Sequence, residues 1–440
     1  MPSNLKKIIL IIGDIAILYL SLYLALMLRY RMSADIDIWH THFLPFTLVY
    51  IFWIFIFYLA GLYSESLAKN DYLFYSVLIK SVSISAGVAV MIFYLVPFFA
   101  IAPKTNLVLN VLIFLALFIF WRRMYNNFIK SSVLLNNIIF IGENKEVREL
   151  IKLFEQNPQF GYNIVEVMTD PNDDIKKIVQ EKHVKTVVHA RDFAKANLVE
   201  ILYSLIPLGV TVYDIAKFYA NTTKKIPVSI IGETWFLENL MESEKNIYEI
   251  LKRFSDIIFS IVLSILTLPF SPFIILAISL ESRGGVFYTQ KRIGKTGKIF
   301  SLIKFRTMIK DAEKTGAQWT KNNDIRVTKV GSILRKTRID ELPQLWNVLS
   351  GDMSFVGPRP ERPEFVKELE QKVPHYQMRH LERPGLTGWA QINQPLGGAS
   401  VEDSTEKLQY DLFYIKNRSL ALDLDIILKT IMVVLKREGH

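Results

Sequence analysis

The chain has 440 residues, of which 51% are apolar and 12% aromatic, and its mean hydropathy is +0.25. A value this high excludes a purely soluble protein and predicts a membrane-embedded part. The chain contains no cysteine, so disulfides, thiolate metal sites and cysteine nucleophiles are excluded. The formal net charge is +10, and its distribution along the chain is more informative than its size.

Four apolar segments precede residue 125, at residues 8 to 28, 43 to 63, 74 to 98 and 107 to 121. The last is short for a hydrocarbon core of about 30 Å. Lys6 and Lys7 precede the first segment and no cleavage site follows it, which predicts a retained first span. Arg122 and Arg123 follow the fourth segment, so both ends of a four-helix transmembrane region at 1–130 are predicted to be cytoplasmic.

From about residue 131 to 232 the pattern changes to short apolar runs separated by polar helical stretches, which predicts a Rossmann-like parallel sheet in the cytoplasm. The runs predicted to be strands are NNIIFIG, YNIVEVM, VKTVVHA, GVTVYD and IPVSIIG. The first turn, Gly142-Glu143-Asn144, lacks the G-x-G-x-x-G spacing of a dinucleotide site, and Glu143 brings a negative charge to the place of a pyrophosphate. This domain is therefore predicted to serve assembly or regulation, and a linker is predicted at 233–251.

An apolar run from Phe254 to Leu280 contains two prolines three residues apart. Pro269 and Pro272 remove the amide hydrogens that would bond carbonyls 265 and 268, and Ser271 can supply one replacement donor. Basic residues flank both ends of the run, which favours a helix that enters the membrane at 252–282, breaks at Ser271 and Pro272, and returns. A proline-kinked span that crosses the bilayer is the alternative.

The window from Arg283 to Asp340 carries 15 Lys or Arg against four Asp or Glu, a surplus of 11. Such a window suits a surface that rests on anionic lipid, a site for a multiply charged phosphate ligand, or both. Within it, the glycines near residue 294 predict a hairpin turn between two strands. Lys304 and Arg306, two apart in the second strand, are predicted to form one cationic face, opposite Ile303 and Phe305.

Two acidic residues, Asp340 and Glu341, follow this basic window. Ser332 is predicted to cap a helix that carries Arg335, and Pro343 to open the next helix, with Leu345, Val348 and Leu349 on its buried side. The electropositive end of that helix favours an ionised carboxylate and attracts phosphate. Neighbouring carboxylates suit an aspartate nucleophile beside a metal-binding glutamate better than the spaced pair of a glycosidase. Arg379 and Arg383 either extend the phosphate-facing surface or are solvated.

The stretch from Lys252 to the C-terminus resembles the bacterial sugar transferase family, the monotopic polyprenol-phosphate phosphoglycosyl transferases. The matching elements are Lys252-Arg253, Ser271-Pro272, KFRTM at 304 to 308, RKTRIDELPQLWNVLSGDMSFVGPRP at 335 to 360, and RPGLTGWAQIN at 383 to 393. The preceding spans and Rossmann-like domain resemble the long form of that family. The fold class is thus a membrane protein with a four-helix bundle, a Rossmann-like domain and, at 283–440, a monotopic α/β catalytic domain.

The resemblance implies transfer of a hexose 1-phosphate from a UDP-sugar to undecaprenyl phosphate, with release of UMP, at the cytoplasmic face of the bacterial inner membrane. Such a reaction initiates O-antigen, capsule or exopolysaccharide synthesis. Asp340 is expected to form the covalent intermediate, and Glu341 with Asp340 to hold Mg²⁺. The residues expected to contact the substrate phosphates or form that site are Lys304, Arg306, Arg335, Pro358, Arg359 and Pro360. Arg338 stands where many relatives are expected to have a smaller residue.

Two other functions are compatible with parts of the sequence. A membrane-anchored nucleotide-sugar dehydratase needs a Tyr-x-x-x-Lys pair, and Tyr248 with Lys252 has that spacing but follows no glycine loop. A nonenzymatic scaffold of polysaccharide assembly would not need Asp340. The partners expected are the two substrates and membrane lipids, with no nucleic acid. The sequence leaves open the sugar, the pathway and the oligomeric state, a homodimer included.

Overall fold

A computed structural model describes residues 3–30, 36–63, 71–95, 104–130, 135–169, 175–190, 196–240, 246–309, 312, 324–394 and 400–436. The chain divides into two compact units, residues 1–215 and 216–440. The predicted third apolar segment and the predicted linker each extend partly outside the described residues, at 96–98 and 241–245.

The first unit begins with four long apolar helices within the described ranges: α1 (Ser3–Arg29), α2 (Ile36–Leu59), α3 (Tyr72–Leu95) and α4 (Lys104–Lys130). Each contains a stretch long and apolar enough to cross a membrane. The fourth stretch covers Thr105–Phe128, so it is longer than the sequence pattern suggested. Large aromatic side chains, including Trp53, Phe57 and Phe114, fill the centre of the bundle.

Several polar side chains inside this bundle are paired with one another. Arg122 Nη2 donates to Asp14 Oδ2 at 2.7 Å, and the two side chains are 1% and 0% exposed. Asn110 Nδ2 lies 2.9 Å from both Ser21 Oγ and Tyr50 Oη. Because a polar group in hydrocarbon needs a partner, these pairs fix which faces of the helices meet.

A parallel sheet follows the bundle, and its strands are β1 (Asn136–Ile141), β2 (Tyr162–Met168), β3 (Thr186–His189) and β4 (Thr211–Asp214). The helices between and after these strands are α5 (Lys145–Gln156), α6 (Ile175–Glu181), α7 (Ala196–Leu205) and α8 (Ile215–Thr223). Within the described residues the strand order is β2-β1-β3-β4, and every pairing is parallel. The Rossmann-like prediction is confirmed for these four strands.

The predicted fifth strand, IPVSIIG, is wrong. Residues 226–232 form a turn and irregular backbone, and the amide of Ile226 donates to the carbonyl of Gln409 at 3.0 Å. Ile226, Val228 and Ile231 are buried in the core of the second unit. An apolar run of this length suits a buried loop as well as a strand, so periodicity could not distinguish them.

The described part of the second unit is built from helices around two small sheets. Its further helices are α9 (Glu233–Asn239), α10 (Asn246–Thr267), α11 (Ser271–Glu281), α12 (Lys329–Lys336), α13 (Gln344–Ser350), α14 (Pro363–Lys372), α15 (Trp389–Asn393), α16 (Val401–Asn417) and α17 (Leu420–Lys436). Its strands are β5 (Phe287–Ile293), β6 (Ile299–Phe305), β7 (Ser354–Val356) and β8 (Gly385–Thr387). Strands β5 and β6 pair antiparallel, as the hairpin prediction required, and β7 pairs parallel with β8. Helix α17 packs on this unit through the fully buried Ile426.

Helices α10 and α11 are joined by a 3₁₀ turn over Leu268–Phe270, so the break lies just before the predicted Ser271 and Pro272. Ser271 Oγ donates to the carbonyl of Leu268 at 2.7 Å, which confirms the predicted replacement donor. The side chains around the turn are apolar and exposed, among them Leu266, Phe270 and Phe273. Among the described residues, Ile247–Glu281 is the fifth stretch that is long and apolar enough to cross a membrane.

Both ends of this helix pair are fastened to the same unit. In the second turn of α10, Arg253 donates to the carbonyls of Val348 and Leu349, at 2.6 and 2.8 Å. At the end of α11, the carboxylate of Glu281 accepts from the amides of Lys329 and Val330, at 2.7 and 2.9 Å. These bonds tie the ends of the pair to α13 and α12, which flank the predicted carboxylates.

Candidate active site

The two predicted carboxylates lie on a 3₁₀ turn, Ile339–Glu341, between α12 and α13. Thr328 caps α12 by accepting from the amide of Gly331 at 2.9 Å, so the prediction that Ser332 caps this helix is wrong. Helix α13 starts right after Pro343, and Leu345 and Val348 are buried, as predicted. The carboxylates therefore precede a helix N-terminus, where backbone amides favour negative charge.

Arg338 links α12 to this turn with a left-handed backbone, at φ 58°. A side chain in this region costs roughly 1 kcal/mol relative to glycine. The strain brings a guanidinium to the pair, because Arg338 Nη1 lies 3.4 Å from Glu341 Oε1. Among smaller residues, glycine and asparagine adopt this backbone with the least strain.

Asp340 is 7% exposed, and its Oδ1 atom has no hydrogen-bond partner among the described residues. Glu341 differs, because its Oε1 accepts from Arg359 Nη2 at 3.0 Å as well as from Arg338. The pair thus combines a buried carboxylate that has a free oxygen with one that arginines already neutralise. Adjacent carboxylates in such different surroundings are suited to different roles.

Burial raises the pKa of Asp340 to about 6, and the charge of Glu341 acts in the same direction, against the opposing effect of Lys304, Arg335 and Arg338. Burial also acts on Glu341, but the guanidinium groups of Arg359 and Arg338 outweigh it and lower the pKa. At neutral pH both groups are therefore ionised, and Glu341 stays so well into the acid range.

Lys304 is placed on β6 with its ammonium 5.2 Å from the centre of the Tyr288 ring. Burial lowers the pKa of Lys304 to about 8, although the charge of Asp340 opposes the shift. Arg335, on α12, donates through Nε to Thr307 Oγ1 at 2.8 Å, and the charge of Asp340 acts on its pKa as well. These predicted residues come together around Asp340.

Arg306 does not join them as predicted. Its Nη2 donates to the carbonyl of Ser282 at 2.6 Å, beyond the end of α11, and the residue is 9% exposed. Its backbone follows the last residue of β6, so strand alternation does not fix its direction relative to Lys304. Arg306 instead ties the hairpin to the end of the α10–α11 pair.

The predicted Gly357-Pro358-Arg359-Pro360 turn contributes one exposed side chain. Pro358 and Pro360 are buried, whereas Arg359 is 45% exposed and reaches Glu341. Gly357 lies so close to the segment after Arg383 that an added Cβ would be 2.2 Å from the Arg383 carbonyl. The GPRP and RPGLTG motifs are therefore adjacent in space, which their separation in sequence does not reveal.

A row of polar side chains on β5 was not predicted from the sequence. Tyr288, Gln290 and Arg292 alternate along the strand, and Tyr288 is opposite Lys304 in the register. Arg292 Nη2 donates to Gln290 Oε1 at 2.6 Å, and Gln290 Nε2 lies 3.1 Å from Tyr288 Oη. The alternation of these residues in FYTQKRI could have revealed this row, because residues two apart in a strand lie on the same face.

The Tyr248–Lys252 pair, which the dehydratase alternative needs, is part of a buried network. Lys252 Nζ donates to Asp423 Oδ2 at 2.9 Å, and Tyr248 Oη donates to the same oxygen at 2.9 Å. Tyr414 Oη donates to the other oxygen of Asp423 at 2.7 Å. This network joins α10 to α16 and α17, and its donors are already engaged.

The arrangement can bind and polarise a diphosphate. Lys304, Arg335 and Arg359 supply positive charge around the buried Asp340 carboxylate, one oxygen of which has no hydrogen-bond partner among the described residues. In phosphoryl transfer, positioning and neutralisation of charge provide most of the catalysis. The described residues contain no group of three or more His, Asp or Glu that could hold a metal ion. Two carboxylates together with substrate phosphate oxygens are nonetheless a usual ligand set for Mg²⁺.

Comparison with known proteins agrees with this chemistry. Residues 247–437 match the family model described as bacterial sugar transferase. A UDP-N-acetylgalactosamine-undecaprenyl-phosphate N-acetylgalactosaminephosphotransferase of Aeromonas hydrophila is 40% identical over 230 residues, which is 52% of this chain and 53% of the relative. The match thus spans about half the length of that relative.

Two further relatives match over more of the chain, and both are named UDP-glucose:undecaprenyl-phosphate glucose-1-phosphate transferase. The protein of Xanthomonas campestris pv. campestris is 30% identical over 341 residues, 71% of this chain and 69% of the relative. The protein of Escherichia coli (strain K12) is 33% identical over 312 residues, 64% of each chain. The chain belongs to the bacterial sugar transferase family.

Proposed function

We propose that this protein transfers a sugar 1-phosphate from a UDP-sugar to undecaprenyl phosphate through a covalent intermediate on Asp340. The observation that carries the proposal is the buried Asp340 carboxylate, which has one oxygen without a hydrogen-bond partner among the described residues and cations on several sides. The names of the relatives support the substrate classes, since each is named for a UDP-sugar and undecaprenyl phosphate.

In the first step, an Asp340 oxygen forms a bond to the β-phosphorus of the UDP-sugar. The bond from that phosphorus to the bridging oxygen breaks, and UMP leaves with the electron pair. In the second step, a phosphate oxygen of undecaprenyl phosphate attacks the same phosphorus, and the Asp340 carboxylate is released. The product is a polyprenyl diphosphate sugar, and each step exchanges one P–O bond for another.

The other residues stabilise charge during these steps. Lys304 and Arg335 face Asp340 and are placed to neutralise the phosphoryl oxygens, and Arg359 can bind phosphate while paired with Glu341. Glu341, together with the Asp340 oxygen that does not attack phosphorus, would hold Mg²⁺. When bound, the ion would reduce repulsion between the anionic substrate and the carboxylates.

We also propose that α10 and α11 enter the bilayer from the cytoplasmic face and return. The bonds of Arg253 and Glu281, near the two ends of the pair, to one unit support this topology, as do the exposed apolar side chains around the 3₁₀ turn. A re-entrant pair would hold Asp340 at the depth of a lipid phosphate in the inner membrane. A soluble nucleotide sugar and a membrane lipid could then reach the same carboxylate.

The test is to incubate the purified protein with UDP-sugars and Mg²⁺, without the lipid acceptor, and to measure UMP and the mass of the peptide that contains Asp340. We expect one UMP per enzyme and a mass increase equal to a hexose or N-acetylhexosamine phosphate on that peptide. Asp340→Asn should abolish both, whereas Glu341→Gln should slow UMP release. An Asp340→Asn protein that still turns over would rule out the covalent route, as would a mass increase on another residue.

A further inference from the structure

The turn at residues 357–360 presents Arg359 to the site, while its backbone is held from behind by two arginines. Arg379 Nη2 donates to the carbonyl of Arg359 at 3.0 Å. Arg292 Nη1 donates to the next carbonyl, that of Pro360, at 2.9 Å. We call Arg292 and Arg379 the carbonyl clamp.

The turn needs external donors because of its composition. Pro358 and Pro360 have no amide hydrogen, so neither residue can donate a backbone hydrogen bond to a neighbouring strand. Three successive carbonyls nonetheless find partners, since that of Pro358 accepts from the amide of Gly385 at 2.9 Å. The donors that fix the backbone of the turn therefore come from β8 and from the carbonyl clamp.

Each member of the clamp has its own acidic neighbour. Arg379 is 4% exposed, donates to Asp411 Oδ2 at 2.8 Å and also bonds the Tyr376 hydroxyl. Arg292 lies 3.7 Å from Glu361 Oε2. These neighbours offset the cost of burying each guanidinium, while the rigid fork of donors still reaches the carbonyl. Arg379 is therefore neither solvated nor part of an exposed phosphate-facing surface, the two alternatives predicted from the sequence.

We infer that Arg292 and Arg379 are positioning residues, which set the Arg359 guanidinium where it meets Glu341 and the phosphates of the donor. This inference rests on the proposed function. Neither residue of the clamp contacts the reacting atoms, because each acts on the backbone of the turn. Arg292 also acts on Lys304 through its charge. Arg379 reaches the site through the turn that carries Arg359, so its contact should matter only while the Arg359 side chain is present.

A double-mutant cycle tests this dependence. Arg379→Lys keeps the charge beside Asp411, but a single ammonium cannot reproduce the fork that also reaches the Arg359 carbonyl. We expect Arg359→Ala to lower kcat/KM for UMP release by about 100-fold. Arg379→Lys should lower it by about tenfold in the otherwise unchanged protein, and by less than about twofold in the Arg359→Ala background.

A matched control separates positioning from loss of a buried ion pair. Arg418 is also 4% exposed, and its ion-pair partners are Glu249 and Glu382. Arg418→Lys should lower the unfolding temperature about as much as Arg379→Lys and leave kcat/KM within about twofold. Where Arg379→Lys does not yield folded protein, Asp411→Asn replaces it in the cycle, because it loosens the same guanidinium, and the same non-additivity is expected.

The inference is overturned if Arg379→Lys has the same effect with and without the Arg359 side chain, or if Arg418→Lys reduces kcat/KM equally. Either result would be compatible with the proposed function, because the unaltered protein would still release UMP. Failure of the proposed function would instead appear as no UMP release or as activity that survives Asp340→Asn. The two failures are therefore distinguishable in the same assay.

Discussion

Asp340 and Lys304 have opposite requirements for protons, and burial shifts both toward neutrality. In the proposed reaction Asp340 must be ionised to attack phosphorus, and burial raises its pKa to about 6. In the same proposal Lys304 must be protonated to bind phosphate, and burial lowers its pKa to about 8. Glu341 does not limit the acid side, because Arg359 and Arg338 lower its pKa.

These directions predict a bell-shaped pH profile of kcat/KM for UMP release. The rate should fall as pH decreases through about 6, where Asp340 gains a proton, and as pH increases through about 8, where Lys304 loses one. Lys304→Arg should remove the alkaline limb, because guanidinium stays charged, and leave the acid limb in place. An alkaline limb that persists in Lys304→Arg would assign it to another group.

The left-handed backbone of Arg338 permits a second prediction. Arg338→Gly should raise the free energy of unfolding by about 1 kcal/mol, because glycine adopts this conformation without strain. The same change should lower kcat/KM, because Glu341 loses one of its guanidinium partners. Thermal unfolding in detergent and the UMP assay measure the two effects.

Thr296→Gly is the matched control, since Thr296 has φ 56° in the exposed turn between β5 and β6. It should stabilise the protein similarly and leave UMP release unchanged. If Arg338→Gly destabilised the protein, the strain at this position would be outweighed by contacts of the side chain. If Arg338→Gly left kcat/KM unchanged, the contact between Arg338 and Glu341 would not contribute to catalysis.

At the scale of elements, the proposed re-entrant topology of the α10–α11 pair would place Asp340 on the cytoplasmic side of the bilayer. The chain has no cysteine, so one introduced cysteine reports its own exposure. Lys298→Cys, in the turn after β5, should react with an impermeant maleimide only after the membrane is permeabilised. Ile36→Cys, at the start of α2, should react in intact cells, because the first inter-helix loop is predicted to be external.

Replacing both Pro269 and Pro272 with alanine should increase external labelling of Lys298→Cys. The restored amide hydrogens favour a continuous helix, which is long enough to cross with tilt. Labelling of Lys298→Cys in intact cells without the proline changes would contradict the re-entrant topology. It would place Asp340 outside the compartment that supplies UDP-sugars.

At the scale of the whole molecule, the second unit begins earlier than the family match. The match starts at residue 247, but the core of this unit also contains Ile226, Trp235 and Phe236. Trp389 Nε1 donates to the carbonyl of Lys224 at 3.1 Å, and Lys416 Nζ donates to Asn239 Oδ1 at 2.6 Å. Residues 216–240 therefore pack into the core of the second unit.

A fragment of residues 216–440 should release UMP and unfold at a clearly higher temperature than a fragment of residues 246–440. The shorter fragment loses the buried side chains of Ile226, Trp235 and Phe236, each worth roughly 1.5–3 kcal/mol. Thermal unfolding of both fragments in the same detergent measures the difference. Equal unfolding temperatures would show that residues 216–245 add nothing to the stability of this unit.

The sequence by itself determined the parts of this protein that depend on local pattern. Long apolar stretches predicted the four bundle helices, and alternating short runs predicted the four parallel strands, because hydrophobic periodicity follows directly from burial of one face. The proline pair predicted the break between α10 and α11, including the hydroxyl of Ser271 as a replacement donor. The acidic pair ahead of a helix was equally visible.

Only the tertiary structure decided which cations surround that pair. Lys304 and Arg306 are two residues apart, yet one approaches Asp340 and the other bonds Ser282, because the strand ends between them. The run at 226–232 joined the second unit because its apolar side chains fit that core. Arg292 and Arg379 reach one turn from distant positions, and such contacts depend on packing that no local pattern encodes.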